Sequence, residues 1–311
     1  MRHILRADQF DHNELARLFG RAIFFMEQDQ HIKTRRNTLK LHQGRIMISM
    51  FYEPSTRTRF SFEIAAAKLG MAVIGTENAA EFSSAAKGET IEDTVRVLNE
   101  YGVDAICMRT KEDGHAARAA AVSNVAIING GDGKAEHPTQ AVLDAYTIYQ
   151  QFGRLDTLRV VMGGDLAHGR TVRSLAKLLS TYKNNHIVFI STPELQMSAD
   201  VLMYLDKNGT TYEQTDDIKK AFTDADVVYW TRLQLERHSD AKLAHGAQAF
   251  TINKSTLRYL PKKAIIMHPL PRVNEITAEV DKDPRAVYFK QAGNGLYVRM
   301  AMLDAILKEL P

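Results

Sequence analysis

A short turn rich in hydroxyl and guanidinium groups, Ser55-Thr-Arg-Thr-Arg59, lies between a strand-like and a helix-like segment. The apolar run 46–52 precedes it, and a helical pattern follows it. A helix N-terminus favours an anion because its first backbone N–H groups lack helical partners and its dipole is positive there. Two arginines add planar donors that match phosphate oxygens two at a time. The turn is therefore predicted to bind phosphate; the simpler alternative is a helix cap followed by solvated arginines.

Further polar residues lie directly after predicted strands, which is where open α/β sheets bind their ligands. Arg109 follows the run 104–108, Arg232 follows strand 226–230, and His268-Pro-Leu-Pro-Arg272 follows strand 264–267. His137 and Arg170 stand at the starts of predicted helices. Each residue alone is also typical of an exposed charge or a helix start, but their shared placement predicts a site for two anions, one of them a phosphate. The residues alone leave open a phosphotransferase or a phosphate-releasing transferase.

Other chemistries find no support in the sequence. The glycine-rich stretches at 129–133 and 163–169 lack the spacing of a dinucleotide-binding motif, and neither a P-loop nor a GxSxG motif is present. The 11 histidines form no metal-binding spacing. We therefore expect neither a metal nor another cofactor.

The composition is that of an ordinary globular chain, 45% hydrophobic and 25% charged. Lysine and arginine number 40 against 37 acidic residues, and no basic block or membrane-length apolar run is present, so we expect no nucleic-acid or membrane partner. The single cysteine, Cys107, lies in an apolar run and is predicted to be a buried hydrophobe. Because no intramolecular disulfide can form and the N-terminal residues lack a signal core, we expect a cytoplasmic protein.

The elements that must position these residues alternate between strands and helices along the 311-residue chain, which is longer than one core usually supports. This order predicts an α/β fold with two similar domains, each a parallel sheet flanked by helices, joined by long helices. The predicted limits are 1–136 and 150–286, with a C-terminal helix at about 292–311 that packs back on the first domain. A helix from 139 to 152 is the candidate connector, and 129–133 is predicted to be a loop.

Some side chains receive specific structural predictions. Arg59 is interpreted as a brace for the turn that pairs with Glu63 four residues on, rather than as a phosphate ligand. Residues 238–246 are predicted from composition to form a mobile loop. The helix after the turn has the apolar repeat Phe60, Ile64 and Ala67. The helix 11–27, with Asp11 as its N-cap, has the predicted apolar face Leu15, Leu18, Ile23 and Phe24.

Four motifs resemble the aspartate/ornithine carbamoyltransferase family, in the family's order and over nearly the whole chain. They are Ser55-Thr-Arg-Thr-Arg59, His137-Pro-Thr-Gln140, Gly164-Asp-Leu with Gly169-Arg-Thr-Val172, and His268-Pro-Leu-Pro-Arg272. Arg232-Leu-Gln234 with Glu236-Arg237, and the proline after His268, are more similar to the aspartate-specific branch than to the ornithine-specific branch. The resemblance implies transfer of the carbamoyl group of carbamoyl phosphate to L-aspartate, a step of pyrimidine biosynthesis, without a cofactor.

The resemblance also implies a role for each motif residue. The first domain would bind carbamoyl phosphate and the second would bind aspartate. The implied catalytic residues are Arg57, Thr58, Arg109 and His137. The implied carbamoyl phosphate ligands are Ser55, Thr56, Arg57, Thr58, Arg109, His137, Gln140, Pro269 and Leu270, with Ser83 and Lys87 from a neighbouring subunit. The implied aspartate ligands are Arg170, Arg232, Gln234 and Lys87.

Sharing of Ser83 and Lys87 implies a homotrimer with active sites completed by neighbouring chains, and regulatory chains are left open. Two alternatives remain at this stage. The protein transfers the carbamoyl group to another amino acid such as ornithine, or it is a catalytically silent relative that acts as a binding or assembly subunit.

Overall fold

The computed structural model describes residues 3–233 and 250–308. The chain divides into two compact units. Unit 1 consists of Met1–Leu143 with Gly293–Pro311, and unit 2 consists of Asp144–Ala292. The division falls within two helices, α7 (Pro138–Phe152) and α12 (Tyr288–Lys308). The predicted loop at 238–246 lies outside the described residues.

Unit 1 contains a four-stranded parallel sheet in the order β2-β1-β3-β4. Its strands are β1 (Ile46–Phe51), β2 (Ala72–Glu77), β3 (Ala105–Thr110) and β4 (Ala126–Asp132). Its other helices are α1 (His12–Asp29), α2 (Ile32–Thr38), α3 (Thr56–Lys68), α4 (Ala79–Phe82), α5 (Ile91–Glu100) and α6 (His115–Val122). β1, β3 and β4 are almost continuously buried, as expected for parallel strands covered on both faces.

Unit 2 contains a five-stranded parallel sheet in the order β7-β6-β5-β8-β9. Its strands are β5 (Arg159–Gly163), β6 (His186–Ile190), β7 (Thr211–Thr215), β8 (Val227–Trp230) and β9 (Ile265–Met267). Its other helices are α8 (Arg170–Leu179), α9 (Ala199–Lys207), α10 (Ile218–Thr223) and α11 (Lys254–Leu257). Trp230, Phe222 and Tyr288 are among the large side chains of its core. The fold class, two parallel sheets each flanked by helices, is as predicted.

The start of α1 was predicted correctly, but part of its buried face was not. Asp11 accepts a hydrogen bond from the backbone N–H of Glu14 at 2.7 Å, and Glu14 accepts one from the backbone N–H of Asp11 at 2.9 Å. Phe24 is 38% exposed because nine residues at 3.6 per turn place it about 180° around the helix from buried Leu15. The buried residues instead are Leu15, Leu18, Phe19, Ala22 and Phe25.

The stretch predicted as a glycine-rich loop is the second half of β4. Residues 129–132 continue the strand and are all buried. Asn129 donates from its side chain to the carbonyl oxygen of Leu5 at 3.0 Å and accepts from the backbone N–H of Gly131 at 2.8 Å. These side-chain hydrogen bonds and the parallel bridge between Ile4 and Ile128 let a glycine-containing segment stay extended.

The C-terminal helix starts at Tyr288, before the predicted start at about 292, and residues from Gly293 onward belong to unit 1. In α3, the repeat Phe60, Ile64 and Ala67 faces outward, while Phe62, Ala65 and Ala66 are buried. Phe60 is 46% exposed and Ile64 is 48% exposed.

Candidate active site

The turn 55–59 connects the end of β1 to the start of α3. Ser55 occupies the N-cap position, yet its side chain makes no capping hydrogen bond within the described part of the chain. The Ser55 side chain therefore does not occupy the first backbone N–H groups of α3, and these groups can donate to an anion. Ser55 and Thr58 are buried, whereas Thr56 and Arg57 are exposed. The turn thus offers hydroxyls at its base and a guanidinium at its rim.

Three predicted residues meet in unit 1 at the carboxyl edge of the sheet. The Nη2 atom of Arg109 lies 3.2 Å from Nε2 of His137, and Oγ1 of Thr58 lies 3.4 Å from the same nitrogen. A guanidinium has no lone pair to offer, so Nε2 of His137 acts as the acceptor of this hydrogen bond. His137 is only 3% exposed. Polar atoms of Thr58 and Arg109 therefore both lie within hydrogen-bonding distance of the His137 ring, as a shared site for a carbonyl oxygen would require.

The end of β4 holds Arg109 in this position. Nε of Arg109 donates to the carbonyl oxygen of Gly130 at 3.0 Å. A Cβ at Gly130 would lie 3.1 Å from the carbonyl oxygen of Met108 in β3. Glycine therefore allows β4 to run close to β3 at this position. The glycine-rich stretch therefore serves the site by fixing an arginine and not as a ligand-binding loop.

Gln140, the remaining predicted ligand of unit 1, lies in the first turn of α7. Its backbone N–H donates to the carbonyl oxygen of His137 at 3.0 Å, so both residues belong to one helical turn. Its side chain is largely buried, 8% exposed. Unit 1 therefore brings together Ser55, Thr58, Arg109, His137 and Gln140 around the carboxyl ends of its strands.

Unit 2 places its predicted residues at the carboxyl ends of three adjacent strands, β5, β8 and β9. Arg170 is the first residue of α8, after β5, and Arg232 lies just after β8. Gly164 has φ of 96°, and a Cβ there would lie 2.0 Å from the carbonyl oxygen of Thr231, so only glycine fits between these two loops. Arg232 also borders a cavity of about 150 Å³ in unit 2 whose lining includes Gly164, Trp230 and Glu275. Gln234 lies outside the described residues.

The segment 268–272 follows β9 and is held by its own side chains. Nδ1 of His268 accepts from the backbone N–H of Leu270 at 2.8 Å, and Nε2 lies 2.9 Å from Oε1 of Glu275. Since Nδ1 is the acceptor, Nε2 carries the proton and donates to Glu275. Leu270 has φ of 53°, a left-handed conformation that is strained for leucine and that this hydrogen bond supports. Pro269 and Leu270 are partly buried.

Arg272, the last residue of the motif, is engaged within unit 2. Its guanidinium donates to both carboxylate oxygens of Asp281, at 2.6 Å for the Nη2 contact, and to the hydroxyl of Tyr288 at 2.9 Å. The same guanidinium lies over the rings of Tyr288 and Phe289. Arg272 thus anchors the end of the segment, consistent with its absence from the predicted ligands.

Arg59 is a brace, as predicted, although its nearer partner was missed. Its Nη2 lies 3.2 Å from Oε2 of Glu77 in β2, and its Nε lies 3.9 Å from Oε1 of Glu63. Cys107 is fully buried, and burial raises the pKa of its thiol to about 12, so the prediction of an inert hydrophobe is confirmed.

Ser83 and Lys87 lie in a short loop of unit 1. The hydroxyl of Ser83 donates to the carbonyl oxygen of Ala79 at 2.5 Å and accepts from the backbone N–H of Ala85 at 3.2 Å, which shapes a 3₁₀ turn at Ser84–Lys87. Lys87 is exposed and makes no hydrogen bond or ion pair with any residue that the structure describes. Their predicted roles in a neighbouring subunit's site remain predictions.

Two features of the site were not predicted from sequence. Glu275 accepts a hydrogen bond from the ring of His268, and the side chain of Gln291 accepts one from the backbone N–H of His268. Neither residue is part of a motif: Glu275 lies 7 residues and Gln291 lies 23 residues after His268, at spacings that correspond to no known signature. Within 3–233 and 250–308, no group of three His, Cys, Asp or Glu side chains is arranged to hold a metal, and no helix is long and apolar enough to cross a membrane.

Comparison with known protein families matches nearly the whole chain. The family model described as aspartate/ornithine carbamoyltransferase, carbamoyl-P binding domain, matches residues 2–150, and the Asp/Orn binding domain of the same family matches residues 156–306. The chain belongs to the aspartate/ornithine carbamoyltransferase family. The predicted family and the assignment as a transferase are therefore confirmed.

Individual relatives in this family are similar over most of their length. The chloroplastic aspartate carbamoyltransferase of Arabidopsis thaliana is 48% identical over 306 residues, covering 98% of this chain and 77% of the relative. The aspartate carbamoyltransferase catalytic subunit of Vibrio cholerae is 43% identical over 271 residues, covering 87% of both chains. The aspartate transcarbamoylase of Trypanosoma cruzi, solved in complex with carbamoyl phosphate and aspartate, has a TM-score of 0.91 at 37% identity, covering 98% of this chain and 96% of that one.

These relatives contradict the expected cytoplasmic location. The plant enzymes of Arabidopsis thaliana, Oryza sativa and Pisum sativum, 45–48% identical to this chain, are named chloroplastic. A single buried cysteine is compatible with any reducing compartment, and composition therefore does not distinguish the cytoplasm from a plastid.

Proposed function

We propose that this family member transfers the carbamoyl group of carbamoyl phosphate to the α-amino group of L-aspartate, giving N-carbamoyl-L-aspartate and phosphate. The observation that carries the proposal is the convergence of Thr58, Arg109 and His137 beside a phosphate-binding helix start. Relatives named aspartate carbamoyltransferase, and a solved relative in complex with carbamoyl phosphate and aspartate, support this choice of substrates.

Unit 1 supplies the groups for carbamoyl phosphate. Ser55, Thr56 and Arg57, with the first N–H groups of α3, bind the phosphate, and Gln140 holds the carbamoyl amino group. Thr58, Arg109 and His137 surround the carbonyl oxygen. Removal of one such preorganised donor from comparable sites costs about 3–4 kcal/mol of transition-state stabilisation, so this cluster makes a large contribution to the rate.

Unit 2 supplies the groups for aspartate. Arg170 and Arg232 bind its carboxylates together with Gln234, because guanidinium donors match carboxylate oxygens in pairs. Pro269 and Leu270 offer backbone carbonyls to the carbamoyl nitrogen and to the α-amino group. The positions of Arg170 and Arg232 after β5 and β8, and of Leu270 after β9, place these groups on one edge of the unit 2 sheet.

The reaction then proceeds as an acyl transfer. The neutral α-amine of aspartate attacks the carbonyl carbon, and negative charge develops on the carbonyl oxygen beside the donors of Thr58 and Arg109 and the ring of His137. The bond from carbon to the bridging phosphate oxygen breaks, and phosphate leaves toward Arg57 and the N-terminus of α3. The amine loses one proton, for which the departing phosphate dianion is the acceptor we favour; His137 is not assigned as the general base.

A product assay tests the proposal. The protein is incubated with carbamoyl phosphate and either L-aspartate or L-ornithine, and carbamoylated product and phosphate are both quantified. Product with aspartate, in equal amount to phosphate, is the expected result. Product with ornithine alone would identify the other branch of the family, and phosphate release without either product, or no turnover, would indicate the silent relative.

We also propose a homotrimer in which Ser83 and Lys87 of one chain complete the site of the next. Lys87 supports this because it is exposed and makes no hydrogen bond or ion pair with the described residues, which leaves its charge available to an anion in a neighbouring site. The outward apolar repeat of α3 supports it too, since Phe60 and Ile64 follow directly on the phosphate turn and would be covered by a second copy. The Vibrio cholerae relative is named a catalytic subunit, which is compatible with additional regulatory chains.

Removal of the apolar repeat tests this assembly. Because one chain has a mass of 35.0 kDa, a closed trimer has a mass of about 105 kDa. Ile64→Glu buries a charge in the proposed interface and is expected to yield single chains in light scattering. Met203→Glu, which alters an exposed apolar side chain on α9 of unit 2, is the control and should leave the mass unchanged. A trimer that survives Ile64→Glu would exclude α3 from the interface.

A further inference from the structure

A fully buried hydrogen-bond network in unit 2 ends on the segment 268–272. Gln291 of α12 accepts from the backbone N–H of His268 at 2.9 Å through Oε1, and donates to Oδ1 of Asp144 at 2.6 Å through Nε2. Asp144 of α7 accepts from the hydroxyl of Tyr229 at 2.7 Å through its other oxygen. Gln291 and His268 are each 1% exposed, and Asp144 and Tyr229 are 0% exposed.

The donors and acceptors of this network allow only one orientation of the Gln291 amide. A backbone N–H must meet the amide oxygen, and a carboxylate must meet the amide nitrogen. Asp144 thus determines which end of Gln291 faces His268. Burial and the charge of Asp144 both raise the pKa of Tyr229, so Tyr229 stays a donor and the network keeps one arrangement.

The same network extends to the backbone that the proposed function places against substrate. His268 is held at its N–H by Gln291, and its ring accepts from the N–H of Leu270. Leu270 has a left-handed φ of 53°, which persists only where surrounding contacts enforce it. A displacement of His268 would therefore be transmitted to the Leu270 carbonyl through one peptide and one ring.

We propose that Gln291, oriented by Asp144, is a positioning residue for carbamoyl transfer, because it fixes His268 and through it the Leu270 carbonyl that receives the substrate nitrogen. This inference rests on the proposed function, in which Leu270 contacts substrate. Neither residue touches substrate. Gln291 and Asp144 lie on helices that carry none of the proposed aspartate ligands. Their effect is on how accurately the Leu270 carbonyl is placed near the reacting amine.

Exchange of the two side-chain chemistries tests the proposal. Gln291→Glu alone places two carboxylates in contact and breaks the arrangement. The double variant Asp144→Asn with Gln291→Glu rebuilds it, because the Glu carboxylate accepts from His268 and from the new Asn amide, whose oxygen still accepts from Tyr229. If Gln291 only filled space, the double variant would not recover the activity lost in Gln291→Glu.

Steady-state kinetics with carbamoyl phosphate and varied aspartate provide the first readout. Gln291→Glu is expected to lower kcat/KM for aspartate by about tenfold or more, the equivalent of one lost buried hydrogen bond, and the double variant to recover to within about threefold of wild type. Inhibition by inorganic phosphate, which reports on unit 1, should change by less than about twofold in either. Equal activity of Gln291→Glu and wild type would overturn the proposal, as would a double variant that regains thermal stability without regaining kcat/KM.

Asn185→Leu is the matched control. Asn185 is a buried amide of the same unit, 2% exposed, that also bonds backbone groups, at Leu155, Leu158 and Leu179. It lies at the amino ends of β5 and β6, so its loss should lower stability while leaving kcat/KM for aspartate near wild type. A parallel loss of activity in this control would show that general destabilisation explains the Gln291 effect.

A second readout does not depend on turnover. Between 268 and 272 only His268, Leu270 and Arg272 carry amide protons, since prolines have none. Amide exchange in a peptide covering this segment should accelerate in Gln291→Met, which removes both hydrogen bonds at similar volume, and unchanged exchange would contradict the proposal. An inactive wild type with accelerated exchange in the variant would reject the proposed function while leaving the anchoring intact.

Discussion

At the scale of single residues, the two arginines of the turn 55–59 differ in their surroundings although only two positions separate them. Arg59 is engaged by Glu63, Glu77 and the ring of Phe60, so it stabilises the start of α3. Arg57 is exposed in the turn for which we propose phosphate binding. Residues two positions apart in a helix point about 200° apart, so Arg57 points away from the edge strand β2 that Arg59 contacts.

This difference gives a paired prediction. Arg57→Ala should lower kcat by about 10²–10³, because it removes a donor to the leaving phosphate. Arg59→Ala should leave kcat within about threefold and lower the free energy of unfolding by about 1 kcal/mol, since partly exposed ion pairs contribute little. Activity assays and denaturant unfolding of both variants check this, and the reverse assignment would follow if Arg59→Ala were the inactive variant.

At the scale of elements, the sequence predicted strands well and helix faces less well. Parallel strands covered on both faces are continuous apolar runs, so β1, β3 and β8 were predicted within a residue or two. Helix faces depend on what the helix packs against. The repeat of α3 with Phe60 and Ile64 is apolar but points outward, and nothing in one chain's sequence separates a core-facing stripe from an exposed one.

The extension of β4 was missed for a different reason. Glycines and an asparagine usually end a strand, but Asn129 is held by the N-terminal segment near Leu5, more than a hundred residues away in sequence. Local propensity was overridden by a long-range hydrogen bond, and such bonds are invisible to a sequence window. The Gln291–His268 contact escaped prediction for the same reason.

In unit 1, the helix α12 is attached to α1 through a buried carboxylate. Asp304 lies 2.6 Å from Nε of Arg21, 2.9 Å from Nε2 of His42 and 3.0 Å from Nζ of Lys308. Burial pushes the pKa of Asp304 upward, but hydrogen bonds from His42, Arg21 and Lys308 outweigh it and hold the pKa below the carboxyl group's ordinary 3.8. The folded state therefore gains stability from Asp304 above pH 3.8 and loses it as the pH falls through the lowered value.

Asp304→Asn removes this charge while keeping the side chain's shape. We expect the free energy of unfolding at neutral pH to fall by about 3 kcal/mol, since one partner of a buried ionic cluster is lost. Stability of the variant should also fall less steeply between pH 5 and 3 than that of wild type. Denaturant unfolding at several pH values measures both effects, with Glu92→Gln, which loses a surface pair with Arg118, as the control that should change little.

At the scale of the whole molecule, the sequence predicted two α/β halves and the edge of each sheet that carries the site. Parallel strands bring their carboxyl ends together, so residues far apart in sequence were placed correctly by one topological rule. That rule does not predict the oligomer. A single chain gives only indirect signs of it: a lysine without a hydrogen-bond or ion-pair partner among the described residues, and an outward apolar repeat. A prediction at this scale must therefore involve more than one chain.

Mixing two inactive variants provides that prediction. If each site takes Arg57 from one chain and Lys87 from its neighbour, trimers formed from equal amounts of Arg57→Ala and Lys87→Ala chains contain some intact sites. Three-quarters of randomly mixed trimers are hybrids, and each hybrid has one intact site in three, so about one quarter of wild-type activity is expected for a closed three-fold ring.

The matched control pairs two variants from the same half of the site. Arg57→Ala mixed with Thr58→Ala restores no intact site, because both residues come from one chain, and its activity should stay at the background of the unmixed variants. Subunit exchange is followed with chains of different mass, so that hybrid formation is measured and not assumed. Hybrids that form without activity in the Arg57→Ala and Lys87→Ala mixture would show that Lys87 acts within its own chain, and the exposed side chain would then serve the site of the subunit to which it belongs.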